Sequence, residues 1–291
     1  MDRRTFIKGL ASGSFLLAAG AFPAYGRTDI APIHQARPRP QRHDRLASAS
    51  TEKVGMCLNI VYDSSVSVSN PAYRVEVEGI ARALESDDFR DAIFFPGGPE
   101  SIAIAISEFD TNPRLRLPWV DIRRGDDHKL QALAREVRNL QRMSSGSTHQ
   151  VTSLMHSATL IDNCPWQTER KSIAFMTDGK ENGSGSSNPG AAVENAIDHL
   201  ARNHSISVSS LSILHPWFPD LDVWCKEHFL TRPGYVSNTG RPLDPGISML
   251  VASSLDDRTD AYYENTTLAM RRMIRVDIAQ APTNAPVRAL A

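Results

Sequence analysis

From Lys53 onward the apolar positions follow two alternating patterns: short unbroken runs, and longer stretches in which they recur every three or four residues. The first pattern predicts strands buried on both faces and the second predicts helices with one buried face. Cys57 to Tyr62 is a run of the first kind, ending at Asp63. A helix is predicted to open at Asn70-Pro71, a capping residue followed by proline, with Tyr73, Val77, Ile80 and Leu84 on one face. Ser101 to Phe109 and Leu115 to Ile122 are the next strands. Two helices follow, one carrying Leu130, Leu133, Ala134, Val137 and Leu140, the other Val151, Leu154, Met155, Ala158 and Ile161. Lys171 to Thr177 is a strand, Pro189 opens a helix, and Ile206 to Leu214 is a strand again. Beyond it the pattern predicts a helix over Leu221 to Leu230, strands at Tyr235-Val236 and Ile247 to Ala252, and a last helix over Asp256 to Val276.

Strands alternating with helices in this way predict an α/β fold, a mostly parallel sheet of about six strands with helices on both faces. In such sheets ligands bind beyond the carboxyl ends of the strands. Three of those positions, or the loops beside them, carry oxygen-bearing side chains. After the first strand comes Asp63-Ser64-Ser65-Val66-Ser67, a D-x-S-x-S pattern whose alternate residues can turn toward one point. Gly146-Ser147-Thr148 precedes the helix carrying Val151, and Asp178-Gly179 follows Thr177. Two carboxylates and three hydroxyls, with no His or Cys, suit Mg²⁺ or Mn²⁺ rather than zinc or copper.

In this order and on this alternation, the three motifs resemble the von Willebrand factor type A (VWA) domain and its metal-ion-dependent adhesion site (MIDAS). The resemblance runs from Val54 to Ala279, about three quarters of the chain. Within that superfamily the chain looks most like a bacterial set of exported, functionally uncharacterised VWA-like proteins, in which a Pro-Gly such as Pro233-Gly234 leads into a late strand and an Arg-rich helix such as Ala269 to Arg275 closes the fold. The resemblance implies a Rossmann-like sheet, with Ser65 and Ser67 binding the metal directly, Thr148 directly or through water, and Asp63 and Asp178 acting mainly through water. It also implies that an open position on the ion takes a carboxylate from a partner protein or surface polymer.

Each motif alone is weak, since D-x-S-x-S in a serine-rich stretch and T-D-G are both commonly turns; order and placement give them weight. The threonine motif reads Gly-Ser-Thr-His where Gly-Gly-Thr is commoner, which removes one permissive glycine and brings His149 near the site. Glu108 and Asp110 end the second strand on the ligand side and are candidates for touching the ion or its waters. The loop Lys180 to Asn188 adjoins Asp178 and is expected to be mobile, as a specificity loop or a solvated one.

The residues before this domain have other patterns. Asp2-Arg3-Arg4-Thr5-Phe6-Ile7-Lys8, an apolar stretch to Ala21 and Ala24-Tyr25-Gly26 resemble a twin-arginine export signal over residues 1–26, with Asp2 in place of the usual Ser or Thr. That stretch is too short for a stable transmembrane helix. The likeness implies export in folded form to the periplasm or cell surface. Residues 27–52 alternate Pro and Arg with no apolar period, as in a disordered spacer, and residues 280–291 read as a loose tail.

Composition narrows the function further. The 291 residues carry 32 Lys and Arg against 33 Asp and Glu. Without the leader, which has Arg3, Arg4 and Lys8 against Asp2, the formal charge falls from −1 to −3, and removing the basic spacer leaves −5 on residues 53–291. A mildly acidic domain is not that of a dedicated nucleic-acid binder. Three cysteines exclude a disulfide-dense scaffold. Cys57 is expected to be buried and inert, while Cys164 and Cys225 are the pair that oxidation could join. The histidines follow no paired metal spacing, and no nucleophile elbow, phosphate loop or dinucleotide fingerprint is present. The expected function is non-enzymatic, a metal-dependent binding module. A metal-assisted hydrolase using the same residues and a metal-free periplasmic scaffold are the alternatives.

Overall fold

Every residue of β1 (Met56–Asp63) is buried, because this strand lies inside a six-stranded sheet covered on both faces. The computed structural model describes residues 52–251 except 95–97, 169, 214, 216, 241 and 244, together with residue 268. The export signal, nearly all of the spacer, the helix expected over Asp256 to Val276 with its Arg-rich segment, and the tail lie outside the described residues.

The strands are β1, β2 (Ser101–Phe109), β3 (Arg114–Arg123), β4 (Arg170–Thr177), β5 (Ile206–Ile213) and β6 (Ser248–Val251), in the order β3-β2-β1-β4-β5-β6. All neighbours are parallel except β3, which runs antiparallel to β2. The short β2-to-β3 connection explains the exception, since adjacent strands joined by a tight turn must reverse direction. β3 is also the strand with mixed burial, as an edge position allows.

Side chains alternate across β1. Met56, Leu58, Ile60 and Tyr62 pack with the apolar faces of α1 (Asn70–Glu85), α2 (Asp87–Phe94) and α3 (Asp127–Arg138). Val61, on the other side, packs with α4 (Gln150–Asp162), α5 (Pro189–His199) and α6 (Leu221–His228). Burying each of these aliphatic side chains contributes about 1.5–3 kcal/mol. Between the layers Asn59 is fully paired: it donates to Ser157 Oγ at 2.9 Å and accepts from Ser107 Oγ at 3.0 Å.

Several local expectations change. The cap of α1 is Ser69, whose Oγ accepts from the Ala72 N–H at 3.3 Å, rather than Asn70. α2 was not evident in the pattern because two turns burying only Phe89, Ala92 and Ile93 do not establish a period. Tyr235-Val236 forms no strand; Val236 makes one isolated bridge to Pro242, and Gly234 turns the chain at φ 83° well before β6 starts. α5 continues into a π-helical turn, Leu200–His204, ended by the left-handed Ser205. Among the described residues, no helix is long and apolar enough to cross a membrane.

Candidate functional site

The strand order reverses direction at β1 and β4, and both of these strands end at the same level: Val61 pairs with Phe175, which places Asp63 beside Thr177. The crevice beyond such a switch point is where open α/β sheets bind ligands. The first motif leaves β1 there, Asp178 leaves β4 there, and Thr148 stands just ahead of α4.

The structure brings all five residues of the three motifs into one hydrogen-bonded chain. Asp63 Oδ1 accepts from the Ser65 N–H at 2.7 Å, which folds the loop back over the strand end. Ser65 Oγ lies 3.0 Å from Ser67 Oγ and accepts from Thr148 Oγ1 at 3.1 Å. Ser67 Oγ donates to Asp178 Oδ1 at 2.6 Å. Asp63 Oδ2 accepts from Thr177 Oγ1 at 2.8 Å, and Gln150, itself buried, donates to that hydroxyl and to the Gly179 carbonyl. Asp63, Ser65, Thr148 and Asp178 are all buried.

Burial dominates the electrostatics. It pushes the Asp63 carboxyl up to about 6 against the lowering effect of hydrogen bonds from Ser65 and Thr177. It pushes Asp178 up to about 8, with the charge of Asp63 adding to the shift. Asp178 Oδ2 is buried with no hydrogen-bond partner.

Glu108 and Asp110 are engaged elsewhere. Glu108 forms an ion pair with Arg116 and accepts from Tyr62 Oη at 3.1 Å and from the Met143 N–H at 3.2 Å. Asp110 accepts from Ser144 Oγ and from the Asn112 N–H. These contacts hold the 140–148 segment against the end of β2. Gly146 is required within it, since a Cβ there lies 2.2 Å from Thr111 Oγ1.

Three further residues shape the site. Arg142 donates to the carbonyl oxygens of Ser64 at 2.7 Å and Ser65 at 2.5 Å, bracing the first loop from outside. Glu181 accepts from the Gly183 and Ser184 N–H groups and caps α4 through the Val151 N–H at 2.8 Å. With Gly183 packed on the His149 ring and the Asn182 N–H on the Thr148 carbonyl, Glu181 anchors the Lys180 to Asn188 loop that the sequence predicts to be mobile. Glu76 of α1 is fully buried, and neither carboxylate oxygen has a hydrogen-bond partner. Its carboxyl is held well above the usual range by burial and by the charges of Asp178 and Asp63. A signal for Glu76 was present, since position 76 falls on the apolar face with Tyr73, Val77, Ile80 and Leu84. Arg142 and the Glu181 cap on the Val151 N–H act through distant backbone atoms and have no such signal.

Among the described residues, no three His, Cys, Asp or Glu side chains converge as a conventional metal cluster. The convergent groups are hydroxyls with two carboxylates. This sheet, with D-x-S-x-S, threonine and aspartate assembled at its switch point, defines a VWA-like domain. The chain belongs to the family described as "Protein of unknown function (DUF1194)", whose model matches residues 53–241. Similar solved structures include a von Willebrand factor type A protein from Catenulispora acidiphila, at 13% identity over 78% of this chain and 43% of that one, TM-score 0.48. The vWF domain of the type V pili tip protein Mfa5 from Porphyromonas gingivalis is 12% identical over 76% of this chain and 97% of that one, TM-score 0.44. Proximal thread matrix protein 1 from the mussel byssus, with a zinc-occupied MIDAS motif, is 14% identical over 56% of this chain and 39% of that one, TM-score 0.41. The chain thus spans less than half the length of the first and third of these. No curated protein matches it in sequence.

Proposed function

We propose that the chain is an exported binding module in which Ser65, Ser67 and Thr148, with Asp63 and Asp178, hold a divalent ion, Mg²⁺ or Mn²⁺, and engage an acidic group of a partner protein or surface polymer. The observation that carries this reading is the contiguous chain Thr148–Ser65–Ser67–Asp178 at the switch point, ending on the unpartnered Asp178 Oδ2. Hydroxyl and carboxylate oxygens are the donors a small hard cation takes. Two desolvated carboxylates with raised pKa values mark a place where positive charge is favoured.

When bound, the ion supplies an electrophilic position for an incoming carboxylate. The residues of the chain determine how exposed its charge remains. Ser65, Ser67 and Thr148 donate neutral oxygens, and Asp63 is oriented by the Ser65 N–H and the Thr177 hydroxyl. Arg142 fixes the carbonyls of the loop that carries both serines. Export rests on the leader pattern of residues 1–26.

The test is thermal denaturation of the full chain with Mg²⁺, Mn²⁺ or chelator, in wild type and in Ser65→Ala and Thr148→Ala. A cation-dependent rise in melting temperature that both variants lose supports the reading; no rise with either ion overturns it. Steady turnover of a generic phosphoester or ester, abolished by Asp178→Ala, replaces binding by hydrolysis.

A further inference from the structure

The cysteines are not arranged as the sequence suggests. Cys225, on α6, is fully buried with Ser210 and Ser212 of β5 around its thiol and packs in a different core cluster from Cys57 and Cys164. Cys164 instead meets Cys57. Cys57 is the second residue of β1, on the face that packs with Val54 and Ala103, and Cys164 sits just past the end of α4 on the turn that leads back to β4. Their Sγ atoms are 2.8 Å apart. A bonded pair lies at about 2.05 Å, so less than an ångström of movement joins them.

Access differs between the two thiols. Cys57 is fully buried, whereas Cys164 is partly exposed and lines a cavity of about 730 Å³ at the amino ends of β1, β2 and β4, together with Lys53, Ser101, Trp166 and Lys171. The Cys164 thiol is held below its ordinary value by the hydrogen bond from Cys57, with smaller help from the Trp166 N–H and the Lys171 charge. The hydrogen bond with Cys164, followed by burial, holds the Cys57 thiol far above its own. The accessible sulfur is therefore also the better nucleophile.

We propose that Cys57 and Cys164 form a disulfide in the oxidised protein, entered from the cavity by a disulfide-bearing oxidant such as a low-molecular-weight disulfide or a thiol–disulfide oxidoreductase. The Cys164 thiolate attacks one sulfur of the oxidant, forming a mixed disulfide and expelling a thiolate. Cys57 then attacks Cys164 Sγ and expels the second thiolate. Two protein thiols are oxidised, one disulfide is reduced, and both protons end on the released thiols. The bond closes a loop of large sequence separation, 107 residues. It joins the start of β1 to the residues just past α4; Asp63 ends β1 at its opposite end, and Thr148 stands just ahead of the opposite end of α4. The proposal does not depend on the metal reading.

Full-length protein is incubated with oxidised glutathione, then denatured in N-ethylmaleimide without reductant and weighed. The expected result is one adduct, on Cys225, and a non-reducing digest containing the Cys57–Cys164 cross-linked peptide. Reductant raises the count to three adducts and lowers the melting temperature by about 5–10 °C. In Cys57→Ser, where nothing resolves the mixed disulfide, the expected product carries glutathione on Cys164 and one maleimide on Cys225; in Cys164→Ser the expected count is two adducts without reductant. In unreduced wild type, three adducts, a stable glutathione adduct, or a link through Cys225 overturns the proposal, and the wild-type mass decides even if a variant fails to fold.

Discussion

Thr177 Oγ1 donates to Asp63 Oδ2 at 2.8 Å, joining the last residues of two parallel strands that lie over 100 positions apart in the chain. The bond links the first motif to the strand that delivers Asp178, so it sets the separation of the two carboxylates. Replacing Thr177 with Val keeps the shape and removes the donor from a buried acceptor. The expected cost is about 1–3 kcal/mol in urea denaturation, together with a weaker response to divalent ions. A loss below about 0.5 kcal/mol, within the range of an ordinary surface change, contradicts this role.

The raised carboxyls of Asp63 and Asp178 set a pH dependence for the metal-free protein. Their unfolded values lie near the ordinary Asp value of about 3.9, and their folded values are about 6 and about 8. Between those limits these two groups bind more protons in the folded state than in the unfolded one, so their contribution to stability falls as pH rises and levels off above about 8. In chelator the melting temperature is expected to drop from pH 5.5 to pH 8.5, with a shallower drop in Asp178→Asn. Saturating Mg²⁺ is expected to remove most of the slope. An unchanged slope in the variant counts against the assignment.

Glu76 lies fully buried without a partner, under the charges of Asp63 and Asp178. Glu76→Gln keeps the volume and removes the need to protonate or bury a carboxylate. At pH 8 in chelator it is expected to raise the melting temperature by a few degrees, and less at pH 5, where the wild-type group is protonated at smaller cost. Equal or lower stability at both pH values contradicts the prediction.

Arg142 reaches two successive carbonyls with one guanidinium, a task a single ammonium does poorly. Arg142→Lys is expected to leave the fold intact by circular dichroism and to weaken the Mg²⁺- or Mn²⁺-induced thermal shift about tenfold in midpoint concentration. An unaltered midpoint means the loop holds its shape without the brace.

Legibility in the sequence followed how local each feature was. The runs that became β1, β2 and β4 are largely apolar, β5 intersperses Ile, Val and Leu with serines, and the helix faces repeat within a few turns, so the α/β class and most boundaries were open to a reading of period alone. The strand-end placement of the D-x-S-x-S and T-D-G segments was legible as well, because each sits within a few positions of an apolar run. α2 and the anchored 180–188 loop were not: the first is too short to show a period, and the second is ordered by Glu181 reaching the Val151 N–H some thirty residues away.

By itself, then, the sequence determined the alternation of strands and helices, and the hydroxyl and carboxylate residues at the strand ends, because both depend on neighbours along the chain. Only the tertiary structure decided that β1 and β4 adjoin at the switch point, that Glu108 belongs to Arg116, that Glu76 is buried near Asp178, and that Cys164 meets Cys57 rather than Cys225. Those pairings depend on which elements pack together. Sheet order and helix placement arise from burying every apolar face at once, and no local pattern carries that information.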